Sequence, residues 1–478
     1  MIRSVKSPNT EPLKLSVVGH TNVGKTSLMR TLMRDVKFGR VAPASATTRQ
    51  VEGGRLLAGG RAVVELFDTP GLEDAGALIE QLETDASERH TGPERIGAFL
   101  ASEHAADRFE QEARVLAQML DSDAALYVID AREPVLGKYQ DELAILSLCA
   151  RPILPILNFV ANRHSRVEAW REALSRVGLH AVAEFDTVVF SSDAEARLWR
   201  RLATLVDTHA PALDQLIADR QSQADWQRSS GKAMIAELLV DAAAARRTAE
   251  RGDRAALENA NRSLRESIAG REQRFVEQLL ELYRFTEADY RDDHRDDHRD
   301  DYRHVALPID RGRWATDLFD SATLAVVGRR AGGGMAAGAA AGAAVDVATG
   351  GLSLGAGTVI GALAAGGATG AWQLRRDIGD RLRGRIGVMA DDAVLTTLAA
   401  RAYALLDALG QRGHAAQDPI EIARKLPQPW PDRGLPRPLL KARLEPGLST
   451  LNRGDDANAE ARHRLAEELN KLLADAAS

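Results

Sequence analysis

The stretch "LKLSVVGHTNVGKTSLMRTLMRD" (13–35) decides how the first part of this chain folds. It opens on a short apolar run, passes through "GHTNVGKT" (19–26), which matches G-x-x-x-x-G-K-S/T, and continues with the period of a helix. A strand, a glycine-rich loop and a helix in that order are the context the pattern requires. Gly19 and Gly24 let the backbone curl so that several N–H groups, from Asn22 and Val23 through Ser27, converge on one point. The helix N-terminus adds partial positive charge there, so the loop suits phosphate. Lys25 is placed to reach β and γ phosphates, and the Thr26 hydroxyl to bind magnesium. The bland alternative is a chance glycine-rich turn, and a second motif downstream weighs against it.

That second motif is "DTPG" (68–71), closing the strand-like run "RAVVELFD". Asp68 is placed to hold magnesium through water and the Gly71 amide to sense a γ-phosphate. Asp, Pro and Gly all favour turns, but a bare turn is an unconvincing reading one hairpin after a phosphate loop. The hairpin itself is expected from "TRQVEGGRLL" and "RAVVELFD" on either side of "AGG" (58–60). The runs "AALYVID" (124–130), "PILPILN" (152–158) and "FDTVVFS" (185–191) are apolar without alternation, as strands buried on both faces are. Helical patterns separate most of them. The expected class is α/β: a mostly parallel sheet with one antiparallel strand.

At 478 residues the chain exceeds one compact core. Four regions are expected: an α/β domain over 1–215, a helical domain over 216–330, a Gly/Ala-rich apolar hairpin over 331–374, and a helical region over 375–478. Strand signals stop after about residue 216; the long Ala-, Glu-, Arg- and Leu-rich helices that follow should break near Gly252–Asp253. The net charge is −6, and residues 1–215 carry 25 Lys/Arg against 30 Asp/Glu. That balance argues against a broad footprint for RNA or DNA. The one cysteine, Cys149, reads as a core residue and excludes an intrachain disulfide framework. No long apolar stretch precedes the first strand, so no signal peptide is expected and a cytoplasmic location is.

With "GHTNVGKTS", "TTR" (47–49) and "DTPG" together, the first 215 or so residues resemble the translation-factor-related GTPases, in particular the Era-like and TrmE-like branch. The resemblance implies a doubly wound fold with nucleotide-controlled switch loops and hydrolysis of GTP to GDP and phosphate. It implies magnesium held by Thr26, Thr48 and Asp68, with Lys25, Thr48 and Gly71 around the γ-phosphate. It implies that Asn22 helps hold a potassium ion, that Asn158 is the Asn of the base motif, and that Ser191 and Ser192 touch the base. The whole chain also resembles bacterial GTPases with an uncharacterised C-terminal domain, and GTP and GDP are then the expected ligands. The protein partner stays unnamed, and a homodimer is one option.

The chain departs from that branch in two places. The Asn-Lys-x-Asp motif reads Asn158, Phe159, Val160, Ala161. Ala161 cannot accept the guanine N1–H and amino group, so guanine preference is expected to be shallow. Phe159 either stacks on the base or is a core aromatic at a strand end. A shifted register, "NRHS" (162–165), offers Arg163 and Ser165 but needs a strand four residues longer. The second departure is Leu72, where some GTPases place a water-positioning Gln. Glu73 and Asp74 offer carboxylates there, or simply begin a helix.

Weaker signals remain. His294 and His298 lie four apart in the tract "DYRDDHRDDHRDDYRH" (289–304), which reads better as solvated low complexity than as a metal pair. The segment 332–372 repeats small residues every four positions, as at Gly334, Gly338 and Gly342, and Asp346 is its one charge. A close-packed hairpin is expected, with membrane insertion of the arm 352–372 as the alternative and peripheral or nucleotide-gated contact at the inner membrane between the two. The order of elements leaves open a dynamin-like membrane machine, an interaction protein with little turnover or relaxed base choice, and a TrmE-like role in tRNA modification.

Overall fold

The computed structural model describes residues 11–35, 52–84, 90–285, 384–414, 434–453 and 458–475, with short stretches at 309–310, 313–314, 317–319, 416 and 429–430. Thr48, the histidine-containing tract 289–304 and the Gly/Ala-rich segment 331–374 lie outside them. The chain forms two compact units. One is Met1–Asp225 with Gln411–Ala416, the other Trp226–Gly410 with Gln417–Ser478.

The first unit runs β1 (Leu13–Val18), α1 (Lys25–Met33), β2 (Glu52–Ala58), β3 (Arg61–Asp68), α2 (Ala75–Thr84), α3 (Gly92–Leu100), α4 (Glu103–Ala106), α5 (Glu110–Asp121), β4 (Ala124–Asp130), α6 (Gly137–Leu148), β5 (Ile153–Asn158), α7 (Val167–Arg176), β6 (Ala183–Glu184) and α8 (Ser192–Ala203). Its six strands are ordered β2-β3-β1-β4-β5-β6, parallel except for the β2–β3 hairpin. This is the α/β sheet expected from the sequence. β4 and β5 are buried at every position, which is why neither alternates polar with apolar. Gly59 and Gly60 turn the hairpin at φ 56° and 79°, both in the left-handed region that a two-residue turn of matching twist demands. Parallel pairing brings the C-terminal ends of β1, β3, β4 and β5 to one edge, with Val17 beside Asp68 and Asp130 beside Asn158. In an open parallel sheet, ligands bind at that edge.

One expected strand is not formed as read. "FDTVVFS" is largely a loop, and the last strand is the two residues before it, Ala183–Glu184. The Asp186 carboxylate accepts the N–H groups of Val188 and Val189 at 2.9 and 3.0 Å. That local side-chain bonding takes donors a ladder would use and turns the chain.

The second unit is built mainly from helices. The helix Ala210–Ala244 leads into it, followed by Arg254–Leu282, Asp392–Gly410, Arg437–Leu444 and Ala459–Asp475. The expected break falls at Gly252, with φ 92°, and Asp253 caps the next helix by accepting the Ala256 N–H at 2.9 Å. The expectation that strands stop after residue 216 is overturned: Arg247–Glu250 pairs antiparallel with Arg385–Val388. Four residues are too few for a period-two pattern to stand out. Among the described residues, Asp392–Gly410 is the one helix long and apolar enough to cross a membrane, and most of it is buried. It carries Arg401, which is buried and ion-paired with buried Glu272 at 3.0 Å. The guanidinium also lies 4.3 Å from the Trp314 ring centroid. Burial pushes the Glu272 carboxyl up to about 7 despite Arg401 pulling it down.

Removing one member of such a pair strands the other. Arg401→Met should destabilise the full chain by about 3–5 kcal/mol, whereas Arg401→Met with Glu272→Leu should recover most of the loss. Urea unfolding of the two variants checks this; equal stability of the single variant and the parent would contradict it.

Candidate functional site

At the C-terminal end of β1 the backbone leaves the sheet at Gly19, where an added Cβ would collide with the Val128 carbonyl. The loop passes through Asn22 and Gly24 with φ 65° and 96° and enters α1 at Lys25. Asn tolerates the left-handed region better than most residues. Gly24 is required by space as well as by φ, because a Cβ there would collide with the Asn158 side chain. Lys25 Nζ is buried and donates to the carbonyls of Gly19 and His20 at 3.0 and 2.8 Å. Burial pushes its ammonium down to about 8, with Asp68, Glu142 and Glu73 pulling the other way.

The Thr26 hydroxyl donates to Asp68 Oδ2 at 2.7 Å. Asp68 is buried at the end of β3. A hydroxyl and a carboxylate facing one another from the loop and the neighbouring strand make an oxygen donor set of the kind magnesium takes. Gly71 lies against the loop so closely that a Cβ would meet Thr21. Lys25 and Thr26 at the start of α1, and Asp68 and Gly71 at the end of β3 and just beyond it, are therefore brought to one place by two separate segments. Ser27 lies in the first turn of α1, with Val23 in the loop just before it.

Leu72 is fully buried in the apolar cluster with Leu78 and Ile96. It is a packing residue, and its N–H reaches the Gly19 carbonyl at 3.4 Å. Glu73 accepts the Thr21 hydroxyl at 3.0 Å. Asp74 begins α2, accepting the Ala77 N–H at 3.3 Å. Of the two readings for this pair, Asp74 takes the helix-start one.

Asn158 is the joint on the base side. It is fully buried at the end of β5. Its Nδ2 donates to the Val23 carbonyl at 3.1 Å, and its Oδ1 accepts the N–H groups of Phe159 and Thr187 at 2.9 and 3.0 Å. The loop it holds is thus 187–189. Ser191 and Ser192 come later: Ser191 caps α8, accepting the Ala194 N–H at 3.3 Å. Phe159 has φ 56° and is half-buried, with the Arg132 guanidinium 4.0 Å from its ring centroid. Arg132 is itself clamped on both oxygens of Asp130. Because β5 ends at Asn158, the register that would use Arg163 and Ser165 is not adopted.

Two groups escaped the sequence reading. His20 Nδ1 lies 2.9 Å from the Leu72 carbonyl and 2.8 Å from Glu142 Oε1. Both partners are acceptors, so Nδ1 carries the hydrogen. Glu142 is fully buried on α6 and also accepts the Tyr127 hydroxyl at 2.7 Å, which with burial raises that phenol well above its usual range. This network clips the phosphate loop to the "DTPG" segment. A buried carboxylate in the helical run "KYQDELAILSL" gives no sign of it until the partners are adjacent. The other group is Asp186, whose Oδ2 accepts the Ala161 N–H at 3.0 Å. Its only sequence signal was an acid within the last apolar run. Cys149 is buried, and burial pushes its thiol up to about 12, as befits a core residue.

A family described as a domain of unknown function, DUF3482, matches residues 171–471, well over half of the chain. The chain belongs to the DUF3482 family. Residues 14–159 match a second family, described as the 50S ribosome-binding GTPase. The N-terminal part of this DUF3482 protein is accordingly a P-loop GTPase domain of the Era-like and TrmE-like kind. The tRNA modification GTPase MnmE of Lactococcus lactis subsp. cremoris (strain SK11) is 28% identical over 188 residues, 39% of this chain and 36% of the relative. That of Synechococcus elongatus (strain ATCC 33912 / PCC 7942 / FACHB-805) is 25% identical over 242 residues, 50% of this chain and 42% of the relative. The DUF3482 chain thus spans about two fifths of the length of these relatives. Era solved with MgGDPNP and nucleotides 1506–1542 of 16S ribosomal RNA is 16% identical with a TM-score of 0.28, covering 37% of this chain and 52% of that one. The G domain of the T. maritima FeoB iron transporter is 18% identical with a TM-score of 0.25, covering 40% and 99%.

The lowered ammonium of buried Lys25 should make phosphate binding pH-dependent. A bound polyphosphate raises the lysine pKa, so binding takes up a proton wherever the free protein has lost one. Affinity is then full below pH 8 and falls as pH rises above it, by up to about tenfold per unit. Titration calorimetry with GDP from pH 7 to 9.5 checks the sign; a flat profile would contradict it.

Proposed function

We propose that this protein binds GTP and hydrolyses it to GDP and phosphate, acting as a nucleotide-controlled switch. The observation that carries this reading is the meeting of Lys25, Thr26, Asp68 and Gly71 at the C-terminal edge of the sheet. Lys25 now spends its hydrogen bonds on two loop carbonyls; with a triphosphate present it would turn them to the β and γ oxygens. Loop amides at the start of α1 add fixed donors whose orientation is set before the ligand arrives. Thr26 and Asp68 would hold magnesium with Thr48, and that ion would neutralise charge between the phosphates. Attack on the γ-phosphate is by water, in line. With Leu72 packed in the core and Asp74 capping a helix, intrinsic turnover is expected to be slow. The second reading, an interaction protein with little turnover, draws on the same observation.

A route for the switch is offered by the chain itself. Gln411–Gly413 continues directly from the helix Asp392–Gly410 and pairs with the base-side loop: Phe190 N–H donates to the Gln411 carbonyl and Gly413 N–H to the Val188 carbonyl, each at 2.9 Å. A Cβ at Gly413 would collide with the Thr187 carbonyl. Filling the base pocket therefore bears on Gln411–Gly413, which belongs to the same unit as the loop. The tRNA modification stated for the relatives is not part of this proposal.

Lys25→Ala should abolish tight triphosphate binding, while Thr26→Ala should keep diphosphate binding and lose the magnesium dependence of hydrolysis. Full activity in Lys25→Ala would remove the phosphate-loop assignment. Replacing sodium by potassium should raise turnover, and Asn22→Ala should erase that response; equal rates in both salts would end the potassium idea alone. Gly413→Ala should weaken GDP binding by about tenfold, the cost of disturbing a loop held by one or two buried hydrogen bonds. Unchanged affinity in that variant would break the proposed route.

A further inference from the structure

We propose that Asp186 supplies the carboxylate that reads guanine, in place of the acid missing at Ala161. This rests on the GTP-binding reading above and names the residue that would give it base selectivity. Ala161 occupies the position where the Asn-Lys-x-Asp motif ends. Its N–H donates to Asp186 Oδ2 at 3.0 Å. A carboxylate is therefore present within one hydrogen bond of the backbone from which the absent side chain would grow. It comes from the loop that follows the next strand instead of from position 161 itself.

The same carboxylate joins the segment after β5 to the segment after β6. Its Oδ1 accepts the N–H groups of Val188 and Val189 at 2.9 and 3.0 Å. That loop is fixed to Asn158 through the Thr187 N–H. Asp186 is buried, yet it has no ion-pair partner among the described residues. The neighbouring acids are committed elsewhere: Asp130 to Arg132, and Glu184 to Arg171. A carboxylate offers about four acceptor positions; here three are taken by backbone amides, so the group is oriented but not saturated.

Guanine matches this arrangement and adenine does not. The guanine edge presents two donors, N1–H and the 2-amino group, beside one acceptor, O6. Its donors suit the carboxylate. Its O6 suits the N–H of Val188 or Val189, which the carboxylate releases as the base enters. Adenine presents the lone pair of N1 toward the same carboxylate and leaves it unpaired. A site built to hydrogen-bond a group rejects analogues that lack it by up to about 10⁴–10⁵. The selectivity that Ala161 alone would forfeit is thereby restored from a different segment.

The test is calorimetric binding of GDP, ADP and XDP to the full chain and to Asp186→Asn. The parent should prefer GDP over ADP by at least about a hundredfold. In Asp186→Asn an amide N–H replaces one acceptor, matching the C2 carbonyl of xanthine. GDP should weaken by at least about tenfold and XDP should tighten, inverting their order. If Asp186 only braces the loop, all three ligands weaken by one common factor, and the proposal is overturned. It is also overturned if the parent binds GDP and ADP alike, with the GTPase reading reduced only to a nucleotidase of broad base choice. A parent that binds no nucleotide overturns both. Ala161→Asp is a second variant that needs no buried group removed. Its new carboxylate beside Asp186 should repel the first and weaken GDP by about tenfold; unchanged or tighter binding would mean the pocket lacked an acceptor.

Discussion

One buried amide holds the nucleotide end of this protein together. Asn158 is fully inside the structure, and each side of its carboxamide is used: the nitrogen on the phosphate loop at Val23, the oxygen on its own strand's exit at Phe159 and on the base-side loop at Thr187. An ionised carboxylate or an apolar side chain could not serve both, whereas the carboxamide places a donor nitrogen and an acceptor oxygen side by side on one planar group. The same contact explains Gly24, whose lack of a Cβ is what admits the Asn158 side chain. Loop, strand end and base-side loop are thus one bonded unit, and burial makes an unmade bond there costly.

The parts legible in the sequence are those whose partners lie close along the chain. The phosphate loop is one contiguous motif, and the hairpin is announced by Gly59–Gly60 between two short runs. The all-buried strands β4 and β5 show as apolar stretches. The parts that were not legible depend on contacts across long separations. His20 and Glu142 are 122 residues apart. Asp186 and Ala161 sit just past successive strand ends with a helix between. The misread strand at 185–191 has the same origin: its composition is apolar and β-branched, and the single acid in it bonds to its own loop instead of to solvent. The Thr187 amide that Asn158 accepts lies four residues before Ser191, and nothing in the residue types marks it.

Lys25 shows how the free site stores its readiness. Its ammonium is buried and pushed down to about 8, so holding it charged near neutrality costs free energy. The carbonyls of Gly19 and His20 partly offset that cost. A phosphate would offset it further, and the lysine would regain basicity in exchange for its loop contacts. The opposing network of His20, Glu142 and Tyr127 is not free to follow, since Glu142 is buried and doubly bonded. The lysine is therefore the movable member and the His20 clip the fixed one, which keeps the loop shaped while its cation changes partners.

The helical region meets a different constraint. Its helix Asp392–Gly410 buries 13 of its 19 residues, Arg401 against Glu272 and Trp314 among them. An ion pair so placed gives little net stability compared with apolar residues of equal volume, because desolvation of both charges offsets their attraction. What it does impose is register, since only one sliding position of the helix satisfies both charges. A helix that is apolar around most of its circumference otherwise has several nearly equal ways to pack.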